Sequence, residues 1–217
     1  MIKLHYLFDP LSGACHGVAP MISAARDVAG VELVLHSAGL FAGENRRLIT
    51  PDWRASVLAQ DQRIARLSRQ PFSAAYFDGL LGEEGVSLDS APPTTAILAA
   101  EELAGRGLTF VLSLQQTCFA EGRHVWEPAV LRELAAALLF DPVAFDAAMT
   151  RLAGAPTERH FAETREWFAR AAGKAYPTVV VERADGLLVP ININVWLGRP
   201  ADFAAALAHI AMTAPAG

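Results

Sequence analysis

The chain has 217 residues, of which 53% are hydrophobic and 19% are charged, so it can bury the core of one large domain or of one domain with an insertion. The formal net charge is −5 and lysine and arginine form no run, which excludes the basic footprint of a nucleic-acid-binding protein. No apolar run reaches the roughly 18–20 residues that a transmembrane helix needs, so we expect no membrane partner.

The first 36 residues predict a βαβ unit. Ile2–Phe8 is a short apolar run that ends at an Asp-Pro pair, which is typical of a buried strand. Gly13–Ala29 has a helical pattern, and Ser12 before it is a favourable N-cap residue. Val31–His36 is a second run rich in β-forming residues. We therefore expect two parallel strands joined by a right-handed crossover through the helix.

Residues 51 to about 173 have an almost entirely helical pattern, interrupted mainly by glycine and proline. Proline stands at the start of several of these segments, where its missing N–H costs a helix nothing. The predicted helices are Pro51–Arg69, Ala74–Leu81, Pro92–Gly105, Leu108–Ala120, Pro128–Leu139, Pro142–Leu152 and Thr157–Ala172.

The last part of the chain returns to a strand pattern. Thr178–Arg183 is a β-branched run, and an Asp-Gly turn separates it from a second predicted strand, Leu187–Val195. Pro190 favours an edge position for that second strand because proline cannot donate to a neighbouring strand. A terminal helix is predicted over Ala201–Met212, followed by a frayed tail over 213–217.

This order of elements predicts an α/β protein with a mixed four-stranded sheet and a large all-helical insertion. The two β-containing parts are each too small to form a domain, so they are expected to pair across the helical block. We assign residues 1–45 and 174–217 to the sheet domain and residues 46–173 to the insertion domain.

The turn from Ser12 to Cys15 is the candidate active site. It leaves a strand and enters a helix, whose N-terminal N–H groups and dipole stabilise a thiolate. Ser12 is either a simple N-cap or a group that orients a thiol ligand. Cys15 is either a small buried core residue or a thiol open to redox modification.

The layout and several motifs resemble the thioredoxin superfamily, in particular the DsbA-like group with a helical insertion and its FrnE-type branch of protein disulfide isomerases. The resemblance covers nearly the whole chain. The matching motifs are Phe8–Cys15, Gly39–Gly43, Asp61–Ile64, Gln70–Phe72, Pro92–Thr94, Glu121–Arg123 and Tyr176–Thr178.

The resemblance implies a thioredoxin fold with a cis proline at Pro177 beside the active turn. Tyr176, Pro177 and Thr178 are then expected to dock the substrate, which would be a thiol-containing small molecule or a peptide. His16, directly after Cys15, is a further candidate for this site, or it is simply a packed histidine.

One departure from the family pattern limits the expected activity. Thiol–disulfide exchange needs an attacking thiolate and a second thiol that resolves the mixed disulfide. The family's attacking cysteine is replaced by Ser12, and Cys15 matches the resolving one. A serine hydroxyl does not exchange with disulfides, so we expect a family member with a degenerate Ser-x-x-Cys site.

Two alternatives stay open at this stage. The kappa-class glutathione transferases and the 2-hydroxychromene-2-carboxylate isomerases resemble the chain at Phe8–Ser12 and carry serine at the position of Ser12. This second resemblance implies a glutathione-dependent isomerase or transferase, in which the serine holds the glutathione sulfur. The other alternative is a non-catalytic thioredoxin-like module that binds peptides. We expect no tightly bound cofactor, and glutathione is the candidate ligand. We expect no metal, because the histidines are scattered along the sequence.

The only cysteines are Cys15 and Cys118, which fits a reducing compartment better than a disulfide framework. The first residues show no secretion signal, so we expect a cytoplasmic protein. Cys118 lies among apolar residues and is predicted to be a core residue. The sequence leaves a homodimer open.

Overall fold

The centre of the molecule is a mixed β-sheet. In the computed structural model, which describes residues 1–213, β1 pairs parallel to β2 and antiparallel to β5, and β5 pairs antiparallel to β6. The sheet order is therefore β2-β1-β5-β6, with β6 at an edge, as Pro190 predicted. The strands in chain order are β1 (Ile2–Phe8), β2 (Val31–Ser37), β3 (Arg47–Leu48), β4 (Ser87–Leu88), β5 (Thr178–Glu182) and β6 (Leu188–Ile191).

Eight α-helices surround this sheet in the part of the chain that the structure describes. The predicted helix at 74–81 is instead a π-helical turn, Ala75–Gly79, followed by a 3₁₀ turn, Leu80–Gly82. The helices are α1 (Gly13–Arg26), α2 (Pro51–Ser68), α3 (Ala91–Ala104), α4 (Gly107–Phe119), α5 (Pro128–Ala137), α6 (Pro142–Leu152), α7 (Ala155–Arg170) and α8 (Pro200–Thr213).

Two predicted elements extend too far, and two short strands were not predicted. α1 ends three residues before Ala29, since Gly30 adopts a left-handed conformation with φ of 79° that leads into β2. β6 ends at Ile191, because two asparagines favour the 3₁₀ turn Ile193–Trp196 over a continued strand. The two-residue strands β3 and β4 were not foreseen, as each is too short to give a sequence pattern. Residues 214–217 of the predicted tail lie outside the described residues.

A continuous apolar core joins the sheet to the helical block. Tyr6 and Phe8 on β1, Val18 on α1 and Phe110 and Phe119 on α4 belong to one buried cluster. The assignment of 46–173 to a separate insertion domain stays a prediction, and a homodimer stays open. Across residues 1–213, we find no helix with both the length and the apolar character needed to cross a bilayer.

The helices α1 and α2 approach each other closely through two glycines. A Cβ atom at Gly13 would lie 2.2 Å from Oδ1 of Asp61, and one at Gly17 would lie 2.4 Å from Cγ2 of Ile64. A side chain at either position would displace the facing side chain of Asp61 or Ile64, or α2 itself. This contact places the polar start of α1 against the middle of α2, and so it shapes the site described below.

Three histidines form a cluster between the sheet and α7. His5 Nδ1 lies 2.9 Å from His36 Nε2, and His5 Nε2 lies 3.0 Å from a carboxylate oxygen of Glu182. On α7, His160 Nε2 accepts a hydrogen bond of 3.0 Å from the last backbone N–H of β2. Because that nitrogen accepts, His160 must be neutral at this atom.

The cluster predicts a loss of stability in acid. Burial, together with the smaller effects of the neighbouring His5 and His160, lowers the pKa of His36 to about 3. The unfolded chain, with a histidine pKa of about 6.5, therefore binds more protons than the folded chain between these values. The contribution of His36 to stability is complete above pH 6.5 and is lost as the pH falls.

The variant His36→Gln keeps a polar side chain but does not titrate. Between pH 7 and pH 5 we expect the wild type to lose about 2 kcal/mol more unfolding free energy than this variant. Asp9 and Asp61, whose pKa values burial raises to about 6, oppose this trend equally in both proteins. Urea unfolding at the two pH values measures the difference. Equal losses of unfolding free energy in both proteins would show that His36 does not cause the acid sensitivity.

Candidate functional site

The N-terminus of α1 carries the residues of the candidate active turn. Ser12 is the N-cap, as predicted, and its side-chain oxygen accepts a 3.4 Å hydrogen bond from the backbone N–H of Cys15. The serine is half-buried, and besides accepting this bond its hydroxyl can donate one of its own. The turn thus presents an oxygen, rather than a sulfur, at the mouth of the helix.

The Cys15 thiol lies beneath Ser12 and has no exposed surface. Burial raises the pKa of this thiol to about 12, although a hydrogen bond with Ser12 acts in the opposite direction. At neutral pH the thiol is protonated, and a protonated thiol is not a nucleophile. The structure therefore gives Cys15 a core position, and its predicted catalytic role stays a prediction.

Asp9 holds the turn in place from inside the protein. Its Oδ1 accepts hydrogen bonds from the Leu11 N–H at 2.9 Å and from the Ser90 hydroxyl at 3.0 Å, and its Oδ2 accepts one from the Leu40 N–H at 2.6 Å. Burial raises the pKa of Asp9 to about 6, while these three bonds favour the ionised form. The residue connects the active turn, the loop after β2 and the start of α3.

The peptide bond between Tyr176 and Pro177 is cis, as the family resemblance implies. Pro177 precedes β5, whose first residue, Thr178, pairs with Leu7 of β1. The hydroxyl of Thr178 donates to the Ala175 carbonyl at 2.7 Å, so it is already occupied within the loop. Tyr176, Pro177 and Thr178 are all half-buried.

Two cavities meet at the start of α1, and Gln60 of α2 lines both. The first, of about 170 Å³, contains Ser12 and Gly13 together with an aromatic wall that includes Trp53, Tyr76 and Phe119. The second, of about 740 Å³, is an open groove between α2 and the cis-proline loop. We call this second cavity the cis-proline groove; its lining includes Ala14, Arg63, Tyr176, Pro177 and Asn194.

His16 lies away from both cavities. Its ring is 2% exposed and stacks on Phe119 at 4.8 Å, and its Nε2 donates to the carbonyl of Pro71 at 3.2 Å. Burial lowers the pKa of His16 to about 4. This position gives His16 a packing role between α1 and the insertion, and its contact with substrate stays a prediction.

Sequence reasoning missed Asp61 as a site residue. Asp61 is 3% exposed and lines the smaller cavity beside Ser12, and its Oδ2 accepts a 2.7 Å hydrogen bond from the Tyr76 hydroxyl. The available signal was the Gly-x-x-x-Gly spacing of Gly13 and Gly17, which lets another helix approach. Cys118 is buried, as predicted, but it also lines this cavity, and burial raises the pKa of its thiol.

Among residues 1–213, no group of three or more histidine, cysteine, aspartate or glutamate side chains is arranged to hold a metal ion. The polar groups that face the cavities include a hydroxyl, an amide, a carboxyl group and a guanidinium, from Ser12, Gln60, Asp61 and Arg63. Such a set suits an organic ligand with polar groups beside an apolar wall.

None of the known protein-family models matches the chain, and none of the curated proteins does. Solved structures do match it. The cytosolic disulfide reductase DsbM from Pseudomonas aeruginosa has a TM-score of 0.89 and 39% identity, over 98% of this chain and 100% of that one. The same reductase solved with GSH has a TM-score of 0.85 and 38% identity, over 96% of this chain and 98% of that one.

More distant structures share the fold alone. A protein from Nitrosomonas europaea, described as a candidate protein disulfide isomerase, has a TM-score of 0.78 at 20% identity and covers 97% of both chains. A 2-hydroxychromene-2-carboxylate isomerase has a TM-score of 0.58 at 16% identity, over 96% of this chain and 95% of that one.

The identity to DsbM extends over almost the full length of both chains, so the likeness is one of family as well as of fold. The four-stranded sheet, the helical block and the cis proline beside the active turn agree with this relation. The chain therefore belongs to the DsbA-like family of thioredoxin-fold thiol–disulfide oxidoreductases and isomerases, with Ser12 and Cys15 forming a Ser-x-x-Cys turn.

Proposed function

We propose that the protein is a cytoplasmic, glutathione-dependent disulfide reductase whose reacting sulfur belongs to glutathione rather than to the protein. One observation carries this proposal: Ser12 is accessible at the N-terminus of α1, whereas the Cys15 thiol beneath it is fully buried. The structure of the related cytosolic reductase with GSH supports the choice of ligand and of compartment.

The turn has the chemistry to stabilise a ligand thiolate. The hydroxyl hydrogen of Ser12 can donate to an anionic sulfur, and the positive end of the α1 dipole lies at the same point. Hydrogen bonds to charged groups are stronger than those between neutral groups. A thiol that binds here is therefore more acidic than the same thiol in water.

The cis-proline groove has room for the rest of a tripeptide. The half-buried Tyr176–Pro177 loop borders it on one side, and α2 borders it on the other. Arg63 brings a guanidinium to this groove, where it can bind a carboxylate of glutathione. The predicted docking residues Tyr176 and Pro177 thus line the groove, and Ser12 lines the adjoining cavity.

The proposed reaction is one step of thiol–disulfide exchange. The glutathione thiolate at Ser12 attacks one sulfur of a bound disulfide, a new S–S bond forms, and the substrate's other sulfur leaves as a thiolate. A second glutathione from solution resolves the mixed disulfide in the same way. The thiols of Cys15 and Cys118 do not change their oxidation state in this reaction.

Reduction of insulin disulfides, with and without millimolar glutathione, tests this function. We expect no reduction above background by the protein alone, and acceleration beyond the rate with free glutathione when both are present. The variant Ser12→Ala should lose about tenfold or more of this acceleration, because a hydrogen bond to a charged group contributes about 1.5–3 kcal/mol.

The control variant Ser56→Ala removes an exposed hydroxyl on α2 that lies in neither cavity, and it should behave as the wild type. Rapid reduction by the protein without glutathione would contradict the proposal. So would a calorimetric titration in which millimolar glutathione gives no binding heat.

A further inference from the structure

Asp61 is a buried acid that the proposed reaction does not yet use. An ionised carboxylate can accept about four hydrogen bonds. In the described part of the chain, the carboxyl group of Asp61 accepts one, from the Tyr76 hydroxyl. Asp9, the other buried aspartate near the turn, receives three. Both oxygens of Asp9 are thus engaged in structure, whereas Asp61 keeps Oδ1 free to bond a ligand.

The position of Asp61 links it to the proposed thiol site. Both of its carboxyl oxygens lie within 2.6 Å of the point where a Cβ atom of Gly13 would stand, so the carboxyl group packs directly against the residue after Ser12. Asp61 and Ser12 also line the same cavity of about 170 Å³. A sulfur atom bound to the Ser12 hydroxyl therefore has the Asp61 carboxyl group as a neighbour.

The charge of the Asp61 carboxylate affects whether a thiolate can form at Ser12. Two negative charges in a poorly solvated site repel each other strongly, even beside the positive end of the α1 dipole. An ionised Asp61 would thus oppose a thiolate at Ser12. If the thiol proton moves to the carboxylate, the site keeps a single negative charge before and after the transfer.

We propose that Asp61 is the proton acceptor for the thiol that binds at Ser12. The S–H bond breaks, its electron pair stays on sulfur, and the proton forms an O–H bond with the Asp61 carboxylate. The proton returns to the sulfur that leaves the disulfide. This inference rests on the proposed function, because it requires a ligand thiol at Ser12.

The ionisation behaviour of Asp61 fits this role. Burial raises its pKa to about 6, which the Tyr76 hydrogen bond partly opposes. At pH 7 most of the carboxyl groups are then ionised and ready to accept, and a pKa close to the working pH is what an efficient acid–base group needs. Gly13 matters to this arrangement as well, since any side chain there would displace the carboxyl group.

The proton balance of glutathione binding tests the inference. Reduced glutathione is titrated into the protein at pH 7 by calorimetry in phosphate and in Tris, whose different ionisation heats reveal the protons released. Absorbance near 240 nm reports the thiolate in parallel. In the wild type we expect a thiolate signal with almost no proton released, because the proton stays on Asp61.

The variant Asp61→Asn keeps the shape of the side chain and an acceptor for Tyr76. We expect it either to lose the thiolate signal or to release about one proton for each thiolate formed, since a free thiol with a pKa near 8.5 is still protonated at pH 7. The control Asp78→Asn removes an exposed carboxylate two residues after Tyr76, and it should match the wild type.

Several outcomes would overturn the inference. Release of about one proton by the wild type would show that solvent takes the proton. Glutathione binding without a thiolate signal, or a thiolate in Asp61→Asn without proton release, would equally exclude Asp61 as acceptor. In these cases binding itself would still support the proposed function. Absence of glutathione binding by the wild type would instead overturn the proposed function and this inference together. Proton release on glutathione binding to the wild type tests the inference even if Asp61→Asn does not fold.

Discussion

The replacement Asp9→Leu is expected to lower the free energy of unfolding by about 3–5 kcal/mol, because three buried donors would each lose an acceptor at a cost of about 1–3 kcal/mol. Leucine has the same branching at Cγ, so its two methyl groups stand where the carboxyl oxygens accept these hydrogen bonds. The N–H groups of Leu11 and Leu40 and the hydroxyl of Ser90 would all lose their acceptor. Urea unfolding followed by circular dichroism measures the change.

Two milder variants show whether hydrogen bonding is the cause. Asp9→Asn keeps one acceptor oxygen and should fall between the wild type and Asp9→Leu. Ser90→Ala removes one donor to Asp9 and the acceptor of the Phe41 N–H, and it should cost about 2 kcal/mol. If Asp9→Asn were as unstable as Asp9→Leu, the charge rather than the hydrogen bonds would stabilise the turn. If all three variants kept wild-type stability, Asp9 would not connect the three segments.

The features that local sequence determines were predictable. Ser12 caps α1 because a serine before a helical pattern can accept a backbone N–H within its own turn. The strands β1, β2 and β5 follow from short apolar or β-branched runs. The cis bond before Pro177 was expected from the family resemblance alone, since no local pattern distinguishes it.

The features that depend on how α2 crosses α1 were not predictable. Asp61 belongs to a helix that is largely polar and exposed, so its pattern does not indicate a buried carboxyl group. Asp61 becomes buried because Gly13 offers no side chain and α2 descends onto the start of α1. His16 shows the converse effect, since its position next to Cys15 in sequence indicated the active turn. One residue further along a helix is a rotation of about 100°, which directs its ring toward Phe119 instead.

The variant Ser12→Cys should turn the protein into a reductase that works through its own thiols. Cysteines at helix N-termini have pKa values of about 3.5–7.5, so we expect at least about a quarter of the introduced thiol to be ionised at pH 7. Cys15 lies three residues further along the same helix face, where it can resolve the mixed disulfide. Insulin reduction with dithiothreitol as the electron source should rise from background to a readily measured rate.

The double variant Ser12→Cys with Cys15→Ala separates attack from resolution. It should still react with a disulfide substrate, but it should stop at a stable mixed disulfide that mass spectrometry detects, because no second protein thiol is available. Ser12→Ala is the matched control and should stay inactive without glutathione. If Ser12→Cys were alkylated no faster than a free thiol, the start of α1 would not stabilise a thiolate. The binding of glutathione sulfur at Ser12 would then lose its physical basis, since both rest on the same helix terminus.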